Sequence, residues 1–519
     1  MSESRQRNGR GAGARVAIAL ATALVAVIPP LAFAAAPLNG FALFGWVSPP
    51  AGFTTPDRLG EMAALGFDVV LPTQDDEGDP AGNHVRLDAA AAHGMRALVY
   101  DRRFFNAYLK GITTPAAGAV FDSIVAEYRG DPALLGYYLG DEPSGAWVDT
   151  IAMFHRELQK RDPGHVTWNN LLGASAFATD SLYRAYLNAY LDRVPASVLC
   201  ADYYNFFVSG DRGRFFQNAA ALRAVSDARG LPFWAVIQLT PHGPYRPLTT
   251  GELRWQVSQL LAYGARGIGY FTYWTPKPDS TLNWQPAVIQ RDGTRTAWYD
   301  VLATFNARAR SAGERLAGMH WISVQATQPY LAEVAPFAGN DWLQWVSGRA
   351  TVGRFVDADG TPWLLFANRD SLNTQTLTLG LRGATGATRV DGGTPVWSIS
   401  ELSVTYSYVD LEPGDFALLR IDGTRGEALE TLGPVVGAFA NPVRGGLHVA
   451  LDRVGGAARC DVIDALGRRL WTTPLAAGAT EVVWDGSDAR GSRAVPGVYV
   501  LRVHDNRGST NRRLVWLGR

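Results

Sequence analysis

The sequence predicts a (β/α)₈ barrel followed by a β-sandwich and a small C-terminal immunoglobulin-like β-sandwich, an α/β architecture with two all-β additions. Three observations carry that expectation. Between residues 41 and 316, short apolar runs alternate eight times with helix-period stretches, which is how βα units around a parallel sheet read. Eight such units in about 275 residues match the size of a closed barrel, roughly 250 residues. Beyond residue 320 the pattern changes to alternating strands and turns, and 519 residues in all are too many for one module at about 150 per domain.

Residues 1–34 read as an export signal: four arginines, an apolar run over 16–31, then Ala32-Phe33-Ala34 as a small-residue cleavage site. An uncleaved membrane anchor is the alternative, disfavoured because Pro29-Pro30 interrupts the run. Removing the segment leaves 44 basic and 47 acidic residues, a net charge of −3. Only three of the basic residues are lysines and no basic run occurs, so nucleic acid is not expected as a partner. The barrel is expected over 35–319, with strands at 41–48, 68–72, 96–101, 134–140, 165–170, 197–204, 233–239 and 267–274. An open doubly wound sheet competes, but Trp46-Val47-Ser48-Pro49-Pro50 follows the first strand where a Gly-rich phosphate loop would be needed. A β-sandwich is expected over 320–421, then a Gly- and Glu-rich linker over 422–433 and the last module over 434–519. The two cysteines, Cys200 and Cys460, fall in different domains and read as buried apolar residues rather than a disulfide. With eight scattered histidines no zinc-type spacing occurs, and neither metal nor cofactor is expected.

In the last module, Asn441-Pro442, Asp464-Ala465-Leu466-Gly467-Arg468, Trp484-Asp485-Gly486 and Pro496-Gly497-Val498-Tyr499 resemble the C-terminal immunoglobulin-like modules of secreted bacterial proteins, similar to flagellar hook-cap-like and type nine sorting domains. The resemblance implies a secreted or cell-surface product, attached through this module, and implies nothing about chemistry.

Chemistry in a (β/α)₈ barrel sits at the C-terminal ends of the strands. The fourth strand runs into Asp141-Glu142-Pro143-Ser144, two adjacent carboxylates in an aromatic setting where burial and like charge raise a carboxyl pKa. Helix capping by Asp141 or Ser144, with Pro143 in the first turn, explains part of the motif but does not call for Glu142. The stretch Tyr137-Tyr138-Leu139-Gly140-Asp141-Glu142-Pro143 resembles retaining glycoside hydrolases of the large (β/α)₈ clan, in the manner of beta-galactosidase-like barrels. That resemblance implies Glu142 as the acid/base and Asp141 as a neighbour that contacts a sugar hydroxyl. The clan's nucleophile lies at the end of strand seven, where this chain offers Gln238, an amide that cannot form the glycosyl ester. Glu252 reads as a capping-box residue. Asp202, closing strand six, is the preferred second carboxylate, and Asp101, closing strand three, is either a site residue or the partner of a rim arginine.

A saccharide site needs aromatic platforms for the apolar faces of sugar rings and amides or carboxylates for their hydroxyls. Trp46, Asp101, Asn169, Tyr203, Tyr204, Gln238, His242, Tyr273 and Trp274 are the expected contacts, with Trp274 and Tyr204 foremost. The expected function is hydrolysis of glycosidic bonds in a poly- or oligosaccharide by carboxylate acid/base catalysis; the alternative is a catalytically inactive carbohydrate-binding surface protein, motivated by Gln238. Oligomeric state is not legible.

Overall fold

The computed structural model describes residues 40–518 apart from 74–77, 332, 341, 402–403, 424–434, 437–438, 440–441, 453–456, 465–467 and 505–508. The expected export segment, most of the linker, Asn441 and the 465–467 turn lie outside the described residues.

Eight parallel strands form one sheet in the order β5-β4-β3-β2-β1-β8-β7-β6. They are β1 (Ala42–Trp46), β2 (Val69–Val70), β3 (Arg96–Val99), β4 (Leu134–Asp141), β5 (Val166–Asn170), β6 (Leu199–Tyr203), β7 (Phe233–Gln238) and β8 (Gly267–Phe271). The sheet closes on itself between β5 and β6: Leu171 N donates to Cys200 O at 2.9 Å and Asp202 N to Leu171 O at 3.3 Å. The strands were legible as apolar runs because a parallel barrel buries both faces of each strand, inward on the barrel axis and outward on the helices. The axis is filled by Phe44, Leu98, Leu135, Trp168, Trp234 and Val236, with the Phe44 ring 5.4 Å from Trp234 and 6.3 Å from Trp168. This is a packed interior, so ligands can enter only at the mouth.

Helix starts follow local chemistry. Thr55 and Thr114 cap helices Pro56–Ala64 and Pro115–Tyr128, each with proline at the start, where its fixed φ suits the first turn and its missing N–H is not needed. Helix Thr250–Ala262 begins with the capping box that Thr249-x-x-Glu252 predicts. Glu252 is further held by Arg246, the two charges 2.5 Å apart, and these bonds lower its pKa against the pull of burial.

The second region starts at β9 (His320–Ala326) and pairs a five-stranded sheet, β14-β17-β12-β11-β9, with a four-stranded one, β10-β13-β16-β15. Its strands are β10 (Leu343–Val346), β11 (Ala350–Val356), β12 (Pro362–Asn368), β13 (Gln375–Arg382), β14 (Gly386–Arg389), β15 (Trp397–Glu401), β16 (Val404–Leu411) and β17 (Phe416–Asp422). One side of the five-stranded sheet packs on the barrel: Phe355, Trp363, Leu365 and Phe416 share a core with Leu253 and Phe305. Arg308 ties the two regions by ion pairs to the buried Asp391 and Asp415 at 2.7 and 2.9 Å. The last region has a three-stranded and a four-stranded antiparallel sheet around its own core of Cys460, Val462, Trp484, Leu501 and Trp516. Cys200 and Cys460 are both buried free thiols.

Candidate active site

β4 does not end as a regular strand. Its pairing with β5 shifts between Tyr138 and Asp141, Gly140 takes φ +129°, and Glu142 takes φ +44°. A positive φ is uncommon outside glycine, and here three hydrogen bonds to β5 hold it. Glu142 N donates to Asn170 O at 2.8 Å, Asn169 Nδ2 to Gly140 O at 3.0 Å, and Asn170 Nδ2 to Asp141 Oδ1 at 3.0 Å. Beyond the turn, the Tyr186 hydroxyl donates to Pro143 O at 2.8 Å. Asn169 is braced in turn by His155, 2.7 Å from its Oδ1. Complete burial lowers the His155 pKa to about 4, so the ring is neutral, with Nε2–H donating to Asn169 and Nδ1 accepting from the Thr167 hydroxyl at 2.6 Å. The bend brings Asp141 to the end of the ladder, paired with Asn170, turns Glu142 out of it, and leaves both solvent-accessible.

Facing them from the end of β6 is Asp202, buried, with Glu142, Asp141 and Tyr204 close enough to act on its carboxyl. Burial first, then the charges of Glu142 and Asp141, push the Asp202 pKa well above the carboxylate range. Asp141 is pushed up to about 6, chiefly by desolvation in the recess, with the Asn170 bond opposing and the Glu142 charge adding. The arrangement gathers three carboxyl groups of different exposure at the barrel mouth, Asp202 buried and Asp141 and Glu142 open to solvent.

An aromatic wall continues from this cluster across the mouth. Tyr204 stacks on Phe271 at 5.2 Å and 25°, and His242 stacks on Trp284 at 4.3 Å and 23°. A cavity of about 260 Å³ opens beside the wall, lined by Trp46, Leu71, Tyr138, Phe271 and Trp284 among others. Tyr138 links cavity and acids, since its hydroxyl pKa is raised first by burial and then by the Asp141 charge. The Trp284 indole N–H is buried without a hydrogen-bond partner.

Of the residues expected to touch substrate, Trp46, Tyr204 and His242 stand in or against this wall; burial lowers the His242 pKa, and its Nδ1 lies 2.8 Å from Thr240 O. Five others are placed elsewhere. Asp101 is fully buried under Arg103, at 2.7 Å, and the Tyr128 hydroxyl, at 2.7 Å, so the rim-arginine reading of Asp101 holds. Asn169 supports the β4 turn from behind. Tyr203 points outward to the helices, where its hydroxyl accepts from Arg214 N at 3.1 Å. Tyr273 packs against Phe67 at 5.7 Å because β8 stops at Phe271, and Trp274 turns to Phe53 at 4.9 Å, lining a cavity of about 140 Å³ that adjoins the first at Val47, Thr73 and Pro276.

Gln238 is placed away from the cavity, its amide engaged by backbone groups. Its Nε2 donates to Phe206 O at 3.0 Å and Arg246 O at 3.1 Å, while Oε1 accepts from Phe206 N at 2.9 Å. The amide thus staples the loops after β6 and β7, work a carboxylate cannot do because it has no donors for two carbonyls. We expect Gln238→Glu to destabilise the fold by about 3 kcal/mol in urea unfolding and to leave turnover no higher.

Tyr138, Phe271 and Trp284 line the cavity but were not among the expected contacts. Tyr138 carried a signal: on a strand, adjacent residues face opposite ways, and the Tyr137 hydroxyl is bonded to Asp162 at 2.7 Å on the helix side. Trp284 carried none, since it lies in the long connection after β8.

No family model and no curated protein matches the chain. Solved structures do. A beta-galactosidase from Bacillus circulans sp. alkalophilus superposes with TM-score 0.52 at 10% identity, over 74% of this chain and 99% of that one. A catalytic mutant of a GH42 beta-galactosidase from G. stearothermophilus gives 0.50 at 10% identity, over 74% and 98%. The beta-galactosidase of the psychrophilic Marinomonas ef1 is matched over 61% of its length, with TM-score 0.40 at 10% identity and 54% of this chain. The chain has the (β/α)₈ barrel fold of glycoside hydrolases of the beta-galactosidase type, followed by β-sandwich regions.

Proposed function

We propose that the protein is an exported glycoside hydrolase in which Glu142 protonates the departing sugar oxygen and Asp202 attacks the anomeric carbon. One observation carries the reading: Glu142 at the end of β4 and the buried Asp202 at the end of β6 act on one another at the barrel mouth, beside an aromatic-walled cavity. Retaining enzymes hold the two carboxyl groups about 5–5.5 Å apart, and inverting enzymes roughly 6.5–9.5 Å apart to leave room for a water; the mutual influence of Glu142 and Asp202 favours the shorter arrangement. Asp141 is suited to hold a sugar hydroxyl, and Tyr204 orients Asp202. Retention requires Glu142 to carry a proton and Asp202 to be ionised when the sugar binds; once the aglycone leaves, water displaces Asp202 from the anomeric carbon and Glu142, as carboxylate, takes a proton from that water. The second carboxylate then comes from β6, and the absence of an acid on β7 does not count against catalysis. Export rests on residues 1–34. The test is hydrolysis of a panel of aryl glycosides and plant and microbial polysaccharides, read as aryl alcohol and reducing ends. Turnover of at least one substrate is expected, and no release from any would leave the binding-only alternative.

A further inference from the structure

The outer face of the four-stranded sheet β10-β13-β16-β15 carries aromatic side chains in register. Trp345 on β10 pairs with Gly380 on β13, Gly380 with Tyr406 on β16, and Tyr406 with Ile399 on β15, so these four lie in one row across the sheet. The next row holds Thr378, Tyr408 and Trp397. The opposite face of the same strands buries Leu377, Leu379, Val409 and Leu411 in the sandwich core, so the period-two alternation places an apolar set on both sides. An outward apolar set on a sheet whose core is already filled needs another explanation.

Local geometry makes this face a platform. Gly380 has no side chain where one would collide with the indole, since a Cβ there would fall 2.3 Å from Trp345 Nε1; the Trp345 ring therefore lies down on the sheet instead of standing up from it. Trp345 and Tyr406 rings are 5.9 Å apart, and Trp397 and Tyr408 are 4.9 Å apart at 35°. Trp345 keeps 38% and Trp397 59% of its surface exposed. Three inter-strand steps separate β10 from β15, a span of about 14 Å. The two rows are adjacent on this face and contain the Thr378 hydroxyl and no charged side chain; Arg382 and Asp410 lie one row beyond them, toward either end of the strands.

We propose that this face binds a neutral polysaccharide chain, separately from the barrel mouth. The apolar faces of successive pyranose rings lie on Trp345, Tyr406, Tyr408 and Trp397, and their hydroxyl edges meet Thr378 and the tyrosine hydroxyls. An uncharged strip of tilted aromatic rings, at 53° between Trp345 and Tyr406 and 35° between Trp397 and Tyr408, matches such a chain, which offers apolar faces and hydroxyls without ionic groups. Anionic glycans lack a cationic partner within the rows. Binding here does not require Glu142 to be catalytic, and a barrel acting on a polymer gains from an anchoring surface through raised effective concentration.

The test is affinity electrophoresis of the full chain in native gels cast with xyloglucan, mixed-linkage β-glucan, galactan, galactomannan or, as the anionic control, polygalacturonate, together with pull-down on cellulose and chitin. At least one neutral glycan is expected to retard the wild-type chain. W345A/W397A should weaken that binding at least tenfold, and W397A alone, at the exposed sheet edge, should weaken it in part, with the melting curve unchanged. E142Q should bind as the wild type does. Wild-type mobility unaffected by every neutral glycan, or equal binding by W345A/W397A, would overturn the proposal. So would a wild-type dimer in sedimentation that W345A/W397A dissociates, which would assign the face to a second copy. Loss of turnover in E142Q with binding intact leaves this inference standing; an inactive wild type that still binds through these tryptophans overturns only the hydrolase reading.

Discussion

Glu142→Gln is expected to lower kcat about 10²- to 10⁴-fold on glycosides with alcohol leaving groups, the range a positioned general acid supplies. The loss should shrink on dinitrophenyl glycosides, whose leaving group departs without a proton. The fold should survive, because Glu142 is solvent-accessible and the bonds that fix its turn are made by its backbone N–H and by Asn169 and Asn170, not by its carboxyl. A second effect follows from charge. Burial is the largest upward push on the Asp202 pKa and the Glu142 charge the next, so an amide at 142 removes one of the causes and offers Asp202 a donor. The Asp202 pKa then falls, and the acid limb of the kcat/KM profile moves to lower pH. Equal loss on good and poor leaving groups would show that Glu142 does not deliver the leaving-group proton. A limb that stays in place would show that the two carboxyls do not interact.

The barrel strands were legible because each is a short run buried on both faces, and the ends found in sequence match the observed ones within about three residues. Which face each residue takes was not legible. Tyr203 and Tyr204 are adjacent aromatics at the end of β6, yet one packs on Phe215 at 6.0 Å among the helices and the other stacks on Phe271 at the mouth. A continuous apolar run carries no alternation to set that parity. The same ambiguity misplaced Tyr273, since the strand was read to Trp274 and the ladder stops at Phe271. Gln238 was misread for a different reason: position on a strand end suggested substrate, whereas the loops it staples come from β6 and β7 together, and only the folded chain brings Phe206 and Arg246 to it. The acidic turn was legible as Asp141-Glu142-Pro143, but not the support that shapes it, because His155 and Asn169 come from a helix and a strand later in the chain.

Asp202→Asn is expected to abolish turnover more completely than Glu142→Gln, by at least about 10³-fold, and without relief from a better leaving group, since the attacking carboxylate is required whatever departs. Asp202 must be ionised to attack, and its raised pKa sets the acid limb of the wild-type profile above the ordinary carboxyl range, so activity falls as pH drops through that raised value. Stability should move the other way. A carboxyl whose folded pKa exceeds its unfolded one binds more protons in the native state, so it destabilises the fold increasingly as pH rises from the unfolded to the folded value. Asp202→Asn should therefore melt higher than the wild type at neutral pH, with the difference shrinking as pH falls toward 4, near the unfolded carboxyl value. A residue present only for packing would give a loss of stability and no such pH dependence. An activated 2-deoxy-2-fluoro glycoside of the sugar found to be hydrolysed should leave its glycosyl mass on the peptide containing Asp202. Label on a different acid would reassign the nucleophile, and proton NMR showing the inverted anomer as first product would make Asp202 a base acting through water, with the carboxyl pair drawing apart to admit it.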